Sequence, residues 1–247
     1  MKTPASSRQP AGFTLIELLV VISIIAILAG LLLPALAAAK RHAQVRTAKL
    51  DTKNLEMAIT QYESDYSRLP YRTYTPPTDL TFGLVPQAGA PFATAVPTNS
   101  DILATLLNVP LGINTANSKN PKQNFYYKAA RMTSEPASIN RPGLPGVSTL
   151  DYQVRDPWGM PYIISLDLNY DGSTEDLFYG SASVSSMPGG GLNGINGLVD
   201  IAPAGNPRFA YKGPVMIWSY GPDRTINPND KANAGANKDN VLSWTSK

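Results

Sequence analysis

The sequence contains no cysteine and a single histidine, and these two shortages exclude several kinds of protein. Without cysteine, the chain can form no disulfide and has no thiol chemistry. His42 is the one imidazole, which excludes histidine-rich metal sites and catalysis by several histidines. The formal net charge is only +3, so the composition makes no strong case for a polyanionic partner. The chain has 247 residues, enough for a membrane segment and one soluble domain.

Catalytic and phosphate-binding motifs are also lacking. The sequence has no G-x-S-x-G, no H-E-x-x-H and no phosphate-binding loop. Residues 187–194 are rich in glycine but lack the lysine and the serine or threonine that cradle a phosphate. No dense stripe of basic and aromatic residues suggests nucleic-acid binding. We therefore expect a protein that is not an enzyme, has no catalytic residues and does not bind nucleic acid.

One long uncharged segment lies near the N-terminus. Residues 18–39 carry no charge, and at a rise of about 1.5 Å per residue they match the ~30 Å of bilayer hydrocarbon. This run is too long for the apolar core of an ordinary secretory signal. The short segment before it carries Lys2 and Arg8. Because positive flanks stay cytoplasmic, we expect the C-terminal bulk of the chain to lie outside the cytoplasm.

Glu17 places a carboxylate at the start of this apolar segment. A charge within lipid costs several kcal/mol unless it is paired, so such a residue is by default functional. The competing interpretation is that Glu17 belongs to a plain signal anchor and extends its carboxylate to the membrane interface. Physical chemistry alone favours the two interpretations equally.

The residues around Glu17 resemble the class III signal of type IV pilins and type II secretion pseudopilins, through the motif Gly12-Phe13-Thr14-Leu15-Ile16-Glu17. The resemblance implies that a prepilin peptidase cleaves between Gly12 and Phe13, and that Phe13 is then N-methylated. Glu17 becomes the fifth residue of the mature chain. The amine of Phe13 is positive at neutral pH, so Glu17 of one copy can pair with Phe13 of a neighbour. We expect this pair to set the axial register during assembly.

Pro34 interrupts the apolar run. A proline removes one backbone donor and bends a helix, which membrane helices tolerate. The pilin family commonly has a proline at the corresponding place, so the resemblance implies that the helix unwinds locally at Pro34 in the assembled filament. A passive kink is the alternative.

The pattern beyond the apolar run predicts that the helix continues out of the membrane. Residues 40–66 contain no glycine or proline. Their apolar side chains recur on one helical face: Leu55, Ile59, Tyr62 and Tyr66. The pattern ends at Leu69-Pro70. The predicted boundaries are a cleaved leader at 1–12, a transmembrane and polymerisation helix at 13–39, an amphipathic helix at 40–69 and a periplasmic, globular, β-rich head at 70–247.

The C-terminal part is rich in glycine and proline, which favours a loop-rich domain. Residues 101–108 predict a short helix capped by Ser100 or Asp101. Residues 125–127 are a candidate strand, and clearer strand patterns lie at 162–166 and 215–220.

Three C-terminal stretches resemble the major pseudopilin of type II secretion: DPWGMPY at 156–162, SYGPD at 219–223 and DNVLSW at 239–244. The segments at about 70–150 and 172–212 do not match that family well and are longer than its norm. The resemblance implies an α+β, pilin-like fold, in which the long N-terminal helix packs on a small antiparallel sheet with long loops.

The same family holds its C-terminal loop with a calcium ion instead of a disulfide. Calcium takes six to eight oxygen ligands from carboxylates, amides and carbonyls. By this resemblance the matching loop offers four donors: Asp223, Asp230, Asp239 and Asn240. The alternative is a solvated loop whose aspartates and asparagines shape turns.

A second calcium candidate is the D-x-N-x-D-G pattern formed by Asp167, Asn169 and Asp171. Phe178 stands where a bidentate glutamate is expected. The preceding strand also favours a different use of this segment, a hairpin turn at Asp171-Gly172.

The sequence thus predicts a structural pseudopilin of a type II secretion or type IV pilus-like filament. Its expected partners are the prepilin peptidase and N-methyltransferase, further copies of itself, other pseudopilins, the inner-membrane assembly platform and membrane lipid. We expect a single-pass inner-membrane protein whose C-terminal domain lies in the periplasm, and which assembles into a periplasmic or surface filament. Two alternatives stay open, a type IV pilus subunit proper and a tethered binding or enzymatic domain that uses a pilin signal.

Overall fold

The structure is a computed structural model that describes residues 13–71, 78–86, 96–134, 143–189, 191–202 and 205–245. The chain divides into two compact units, Met1–Ala43 and Gln44–Lys247. The predicted leader at 1–12, including Gly12 of the predicted cleavage site, lies outside the described residues.

A single helix, α1, runs from Leu15 to Tyr66 and includes Pro34. It is long and apolar enough, by length and composition, to cross a membrane. The large apolar side chains of its first half are exposed, with 73% of Leu31 and 65% of Leu32 accessible. An apolar surface of this extent favours cover by lipid or by other protein.

The second half of α1 contributes to the core of the second unit. Leu55, Ile59 and Tyr62 are fully buried, while Met57 on another face is 60% exposed. The predicted apolar face is therefore confirmed, with Tyr66 partly buried at its end. The next residues cannot continue the helix because Pro70 lacks the backbone donor and clashes with the preceding turn.

The remaining elements are short. The helices are α2 (Ser100–Leu106) and α3 (Ala182–Ser185), with 3-10 turns at Gly112–Asn117, Ile195–Gly197 and Gly235–Asp239. The strands are β1 (Leu80–Phe82), β2 (Met132–Thr133), β3 (Gly146–Ser148), β4 (Val154–Arg155), β5 (Ile163–Leu166), β6 (Thr174–Glu175), β7 (Val199–Asp200), β8 (Phe209–Tyr211), β9 (Val215–Ser219) and β10 (Val241–Leu242). The strands expected at 162–166 and 215–220 are confirmed as β5 and β9.

In the part of the chain that the structure describes, the strands form three sheets, whereas the prediction is one small antiparallel sheet. The main sheet has four antiparallel strands in the order β1-β5-β9-β10. A second sheet, β2-β3-β4, is mixed because β2 and β3 run parallel. The third sheet has the order β6-β8-β7 and is antiparallel. The α+β, pilin-like architecture is nevertheless the one expected.

The main sheet separates two hydrophobic clusters, because side chains alternate between its faces. Ile164 of β5 and Ile217 of β9 belong to the cluster that contains Leu55, Ile59 and Tyr62 of α1. Their neighbours in the strands belong to the other cluster: Ile163, Met216 and Trp218, packed with Phe178, Tyr179 and Tyr220. The amphipathic half of α1 thus covers one face of the sheet within the second unit.

Two predictions between residues 99 and 127 are wrong in detail. The cap of α2 is Asn99, not Ser100 or Asp101, and its side chain makes no capping bond. Instead, the Asn99 amide donates to the carbonyls of Val154 and Tyr162. Residues 125–127 form no strand, because the backbone N–H groups of Tyr126 and Tyr127 donate to the Leu106 carbonyl at the end of α2.

Candidate functional site: the helix N-terminus and the C-terminal loops

Thr14 and Glu17 form a reciprocal pair at the start of α1. The backbone N–H of Thr14 donates to Oε2 of Glu17 at 2.9 Å, and the Thr14 hydroxyl donates to the same oxygen at 2.6 Å. The backbone N–H of Glu17 donates to the Thr14 hydroxyl at 3.3 Å. This is a capping box, which satisfies donors that the first turn of a helix leaves without intrahelical partners.

The capping box gives Glu17 a role inside its own chain. A carboxylate can accept about four hydrogen bonds, so Glu17 can receive a further donor from another copy without giving up the cap. Thr14 was not predicted as a site residue. Its signal was present in the sequence, since T-x-x-E ahead of an apolar run is the pattern of a capping box.

The other predicted assembly residues occupy the same helix or lie beside it. Phe13 precedes α1 and is 77% exposed. Pro34 lies within α1, which is helical on both sides of it. Local unwinding at Pro34 in an assembled filament stays a prediction.

Asp156 and Ser219 join two of the three C-terminal motif stretches. The Ser219 hydroxyl donates to Oδ2 of Asp156 at 2.5 Å, and both residues are fully buried. Oδ1 of Asp156 accepts the backbone N–H groups of Trp158 and Met160, each at 2.9 Å. Burial raises the pKa of the Asp156 carboxyl to about 6, while these hydrogen bonds act in the opposite direction.

The third motif stretch, at 239–244, pairs with the same strand, β9. In β10, Val241 lies opposite Ser219 of β9. Beyond β10, the hydroxyl of Ser243 accepts the Ile217 N–H at 3.1 Å, and the Ser243 N–H donates to the Ile217 carbonyl at 2.9 Å. The stretches at 156–162, 219–223 and 239–244 therefore meet at β9, although they are far apart in sequence.

The four candidate calcium ligands of the C-terminal loop take part in turn-shaping and packing contacts. Oδ1 of Asp223 accepts the Thr225 N–H at 3.0 Å, and Oδ2 of Asp230 accepts the Ala236 N–H at 3.3 Å. The last residue of the 3-10 turn there is Asp239. The amide of Asn240 donates to the Tyr179 hydroxyl at 2.8 Å. Among the described residues, no group of three or more His, Cys, Asp or Glu side chains is arranged to hold a metal.

The second candidate loop is a network of side chains bonded to backbone amides. Oδ2 of Asp167 accepts the Gly172 N–H at 2.9 Å, and Oδ1 of Asp171 accepts the Ser173 N–H at 2.9 Å. The Asn169 amide donates to Oδ2 of Asp171 at 2.8 Å. Gly172 has φ +81°, which glycine adopts at little cost.

A hairpin at Asp171-Gly172 was the alternative use of this segment, and that prediction is wrong. The strands on its two sides lie in different sheets, since β5 pairs with β1 and β9 while β6 pairs with β8. The segment is a turn that carries the chain from one sheet to the next.

Comparison with known protein families indicates the class of protein, and the match lies in the N-terminal residues. Residues 7–33 match the family model described as the prokaryotic N-terminal methylation motif. The chain therefore carries the signal of a prepilin-type protein at the position where the capping box and the exposed apolar helix are found.

Curated proteins then point to a particular system. The chain is 41% identical over 63 residues to type II secretion system core protein G of Pseudomonas aeruginosa, and 43% identical over 63 residues to the protein of that name from Aeromonas hydrophila. A third such protein, from Pectobacterium carotovorum, is 40% identical over 65 residues. Each match covers 26% of this chain, and the chain spans 42–44% of the length of these relatives. No solved structure gives a significant match.

Proposed function

We propose that this chain is a structural, non-enzymatic subunit of a type II secretion pseudopilus. The observation that carries the proposal is a prepilin methylation motif at the head of one 52-residue helix, whose first half exposes its apolar side chains. The relatives are named as core proteins of a secretion system, and none of their names describes an enzyme.

Processing is the first step of the proposed function. A prepilin peptidase and N-methyltransferase cleaves between Gly12 and Phe13 and methylates the new N-terminus. The mature chain then begins one residue before Thr14, the cap residue of α1. The subunit stays in the inner membrane through α1 as a single-pass protein, with its C-terminal domain in the periplasm.

Assembly follows from the chemistry of the exposed helix. In lipid there is no hydrophobic drive between apolar helices, so packing and polar contacts decide how they associate. The Phe13 amine of one subunit and the Glu17 carboxylate of its neighbour neutralise each other in an apolar bundle. Such a pair is better suited to fixing register than to adding stability. The other partners are further pseudopilins and the assembly platform.

Calcium binding at the C-terminal loop also belongs to this proposal. The loop runs between β9 and β10, which pair with each other, and the chain has no cysteine that could close it with a disulfide. Oδ1 of Asn240 is buried without a hydrogen-bond partner among the described residues.

Mass spectrometry of the mature N-terminus tests the proposed function. We expect a chain that begins at N-methylated Phe13. A Gly12→Val variant, which alters the residue before the cut, should remain unprocessed and begin at Met1. A wild-type protein that begins at Met1, or anywhere downstream of Phe13, would overturn the proposal.

Immunogold labelling separates a secretion pseudopilin from a type IV pilus subunit, which would share the methylation signal. We expect labelling to stay within the cell envelope. Labelled fibres on the cell surface at native expression would support the pilus subunit instead.

A further inference from the structure

One segment of the second unit exposes positive charge and apolar side chains together. Residues 102–134 contain four basic residues and no aspartate or glutamate. Lys128 and Arg131 are exposed, and the ion pairs among the described residues include neither of them. Phe125, in the same segment, is 77% exposed. We call the exposed residues of this segment the basic surface: Lys122, Phe125, Lys128, Arg131 and Met132.

Carboxylates gather around Asp79 and the loop after β5. Burial raises the pKa of Asp79 to about 6, and the charges of three nearby carboxylates add to this rise. They are Asp167, Asp171 and Glu175, of which Glu175 pairs with Arg208. Oδ1 of Asp79 is buried without a hydrogen-bond partner among the described residues. We call the following residues the acidic surface: Glu63, Asp79, Asp167, Tyr170 and Asp171.

The end of α1 places the two surfaces on opposite flanks of the second unit. Asp65 lies on the basic side, where its carboxylate accepts the Tyr126 hydroxyl at 2.6 Å and its carbonyl accepts Nζ of Lys122 at 3.1 Å. Glu63 lies on the acidic side, because burial and then the charge of Asp167 raise its pKa. Consecutive residues of an α-helix turn by about 100°, so side chains two positions apart leave the helix in nearly opposite directions.

Surfaces on opposite flanks cannot meet within one copy, but they can meet between two copies. A contact between two different surfaces is heterologous, and its repetition generates an open helical filament. Opposite charges across such a contact fix its register and exclude wrong partners more than they add affinity. Both surfaces also offer an exposed aromatic ring, since Tyr170 on the acidic side is 55% exposed.

We propose that the basic surface of one copy docks on the acidic surface of the next copy in the filament. Lys128 and Arg131 bring positive charge to the carboxylates around Asp79, and the contact joins second units in addition to the helix contacts already described. A calcium ion in the loop at 167–171 would compete for the same carboxylates. This inference rests on the filament assembly in the proposed function.

Cysteine crosslinking tests the contact, since introduced cysteines are the only ones in the chain. The full chain carries Lys128→Cys with Asn169→Cys, both at exposed positions, and sheared filaments are treated with a short bismaleimide. We expect a ladder of crosslinked multimers, because each copy carries both halves of the contact. The control pair is Lys238→Cys with Asn169→Cys, since Lys238 is exposed but outside both surfaces, and it should stay monomeric.

The pattern of products distinguishes the possible contacts. Co-expressed single variants, one with Lys128→Cys and one with Asn169→Cys, should give dimers and nothing larger. Multimers from Lys128→Cys alone would show that the basic surface meets its own counterpart, and would overturn the inference. Filaments in which positions 128 and 169 stay uncrosslinked would overturn this inference alone, whereas a wild type that forms no filaments would overturn the proposed function.

Charge reversal provides a second measurement. We expect Lys128→Glu combined with Arg131→Glu to lower the sheared filament fraction roughly tenfold or more, because like charges then face each other. Lys238→Glu, the matched control, should leave this fraction unchanged, and an unaltered melting temperature establishes that each variant is folded. A reversed variant that assembles as well as the wild type would contradict the proposed contact.

Discussion

Glu17 combines a local and an intermolecular task at one carboxylate. Inside the chain it caps α1 together with Thr14. In the proposed filament the same group meets the Phe13 amine of a neighbour. The two tasks make different demands on the side chain, because a glutamine can complete a capping box but carries no charge.

Two substitutions at Glu17 separate these tasks. Glu17→Gln keeps the cap and removes the charge, whereas Glu17→Val removes both. We expect both variants to be cleaved and methylated, and both to lose incorporation into filaments by at least tenfold, measured as the sheared filament fraction. A Glu17→Gln variant that assembles normally while Glu17→Val does not would show that capping, and not the ion pair, is the requirement.

Asp79 provides a pH-dependent prediction at the residue scale. Its Oδ2 accepts the Glu175 N–H at 2.7 Å, and burial raises the pKa of Asp79 from 3.8 to about 6. Between these two values the Asp79 carboxyl binds more protons in the folded chain than in the unfolded chain. The contribution of Asp79 to the free energy of unfolding therefore falls as the pH rises from about 4 to 6, and it levels off above that range.

In the Asp79→Asn variant, the free energy of unfolding should decline less between pH 4 and 6 than it does in the wild type. Urea midpoints of the full chain in detergent at pH 4.5, 5.5 and 7 measure the effect. Part of the dependence of stability on pH should remain in the variant, because the pKa of Asp156 is also raised to about 6. A slope identical to that of the wild type would contradict the assignment to Asp79.

At the scale of elements, α1 could be predicted in detail because its pattern is long. The face formed by Leu55, Ile59 and Tyr62 repeats every three to four residues, and the structure buries it. The runs at β5 and β9 were also recognised, since buried β-branched and aromatic residues follow one another there. Two-residue strands such as β2 and β6 carry too short a pattern, and pairing with distant segments decides their conformation.

The buried face of α1 supports a stability prediction with a control on the same helix. Ile59 is fully buried and Met57 is 60% exposed. We expect Ile59→Ala to lower the free energy of unfolding by about 2–5 kcal/mol. Met57→Ala should change it by less than about 0.5 kcal/mol. Urea denaturation followed by tryptophan fluorescence measures both, and equal effects would contradict the assigned orientation of the helix.

At the scale of the whole molecule, the chain closes its C-terminal region without a covalent link. The stretches at 156–162, 219–223 and 239–244 meet at β9 through buried hydrogen bonds. The sequence identified these stretches only by resemblance. Their convergence could not be derived from local pattern, because it depends on contacts between residues more than twenty positions apart, such as Ile217 and Ser243.

The predicted calcium ion should reinforce this closure. At a concentration 100 times its dissociation constant, a ligand adds about 2.7 kcal/mol to stability. We expect EDTA to lower the melting temperature of the full chain by roughly 5–10 °C, and added calcium to restore it. Asp223→Asn combined with Asp239→Asn should abolish the response, whereas Asp167→Asn tests the second loop. An unchanged melting temperature in EDTA would remove calcium from both loops.

The division of the chain at Ala43 and Gln44 also determines how a soluble version could be made. The second half of α1 contributes side chains to the hydrophobic core of the second unit, so it cannot be removed without disrupting that core. A truncation after Tyr66 would remove Leu55, Ile59 and Tyr62 and leave the sheet with one bare face. The start site for expression without detergent is therefore Gln44, even though this retains 23 residues of the helix whose first half is proposed to lie in the bilayer.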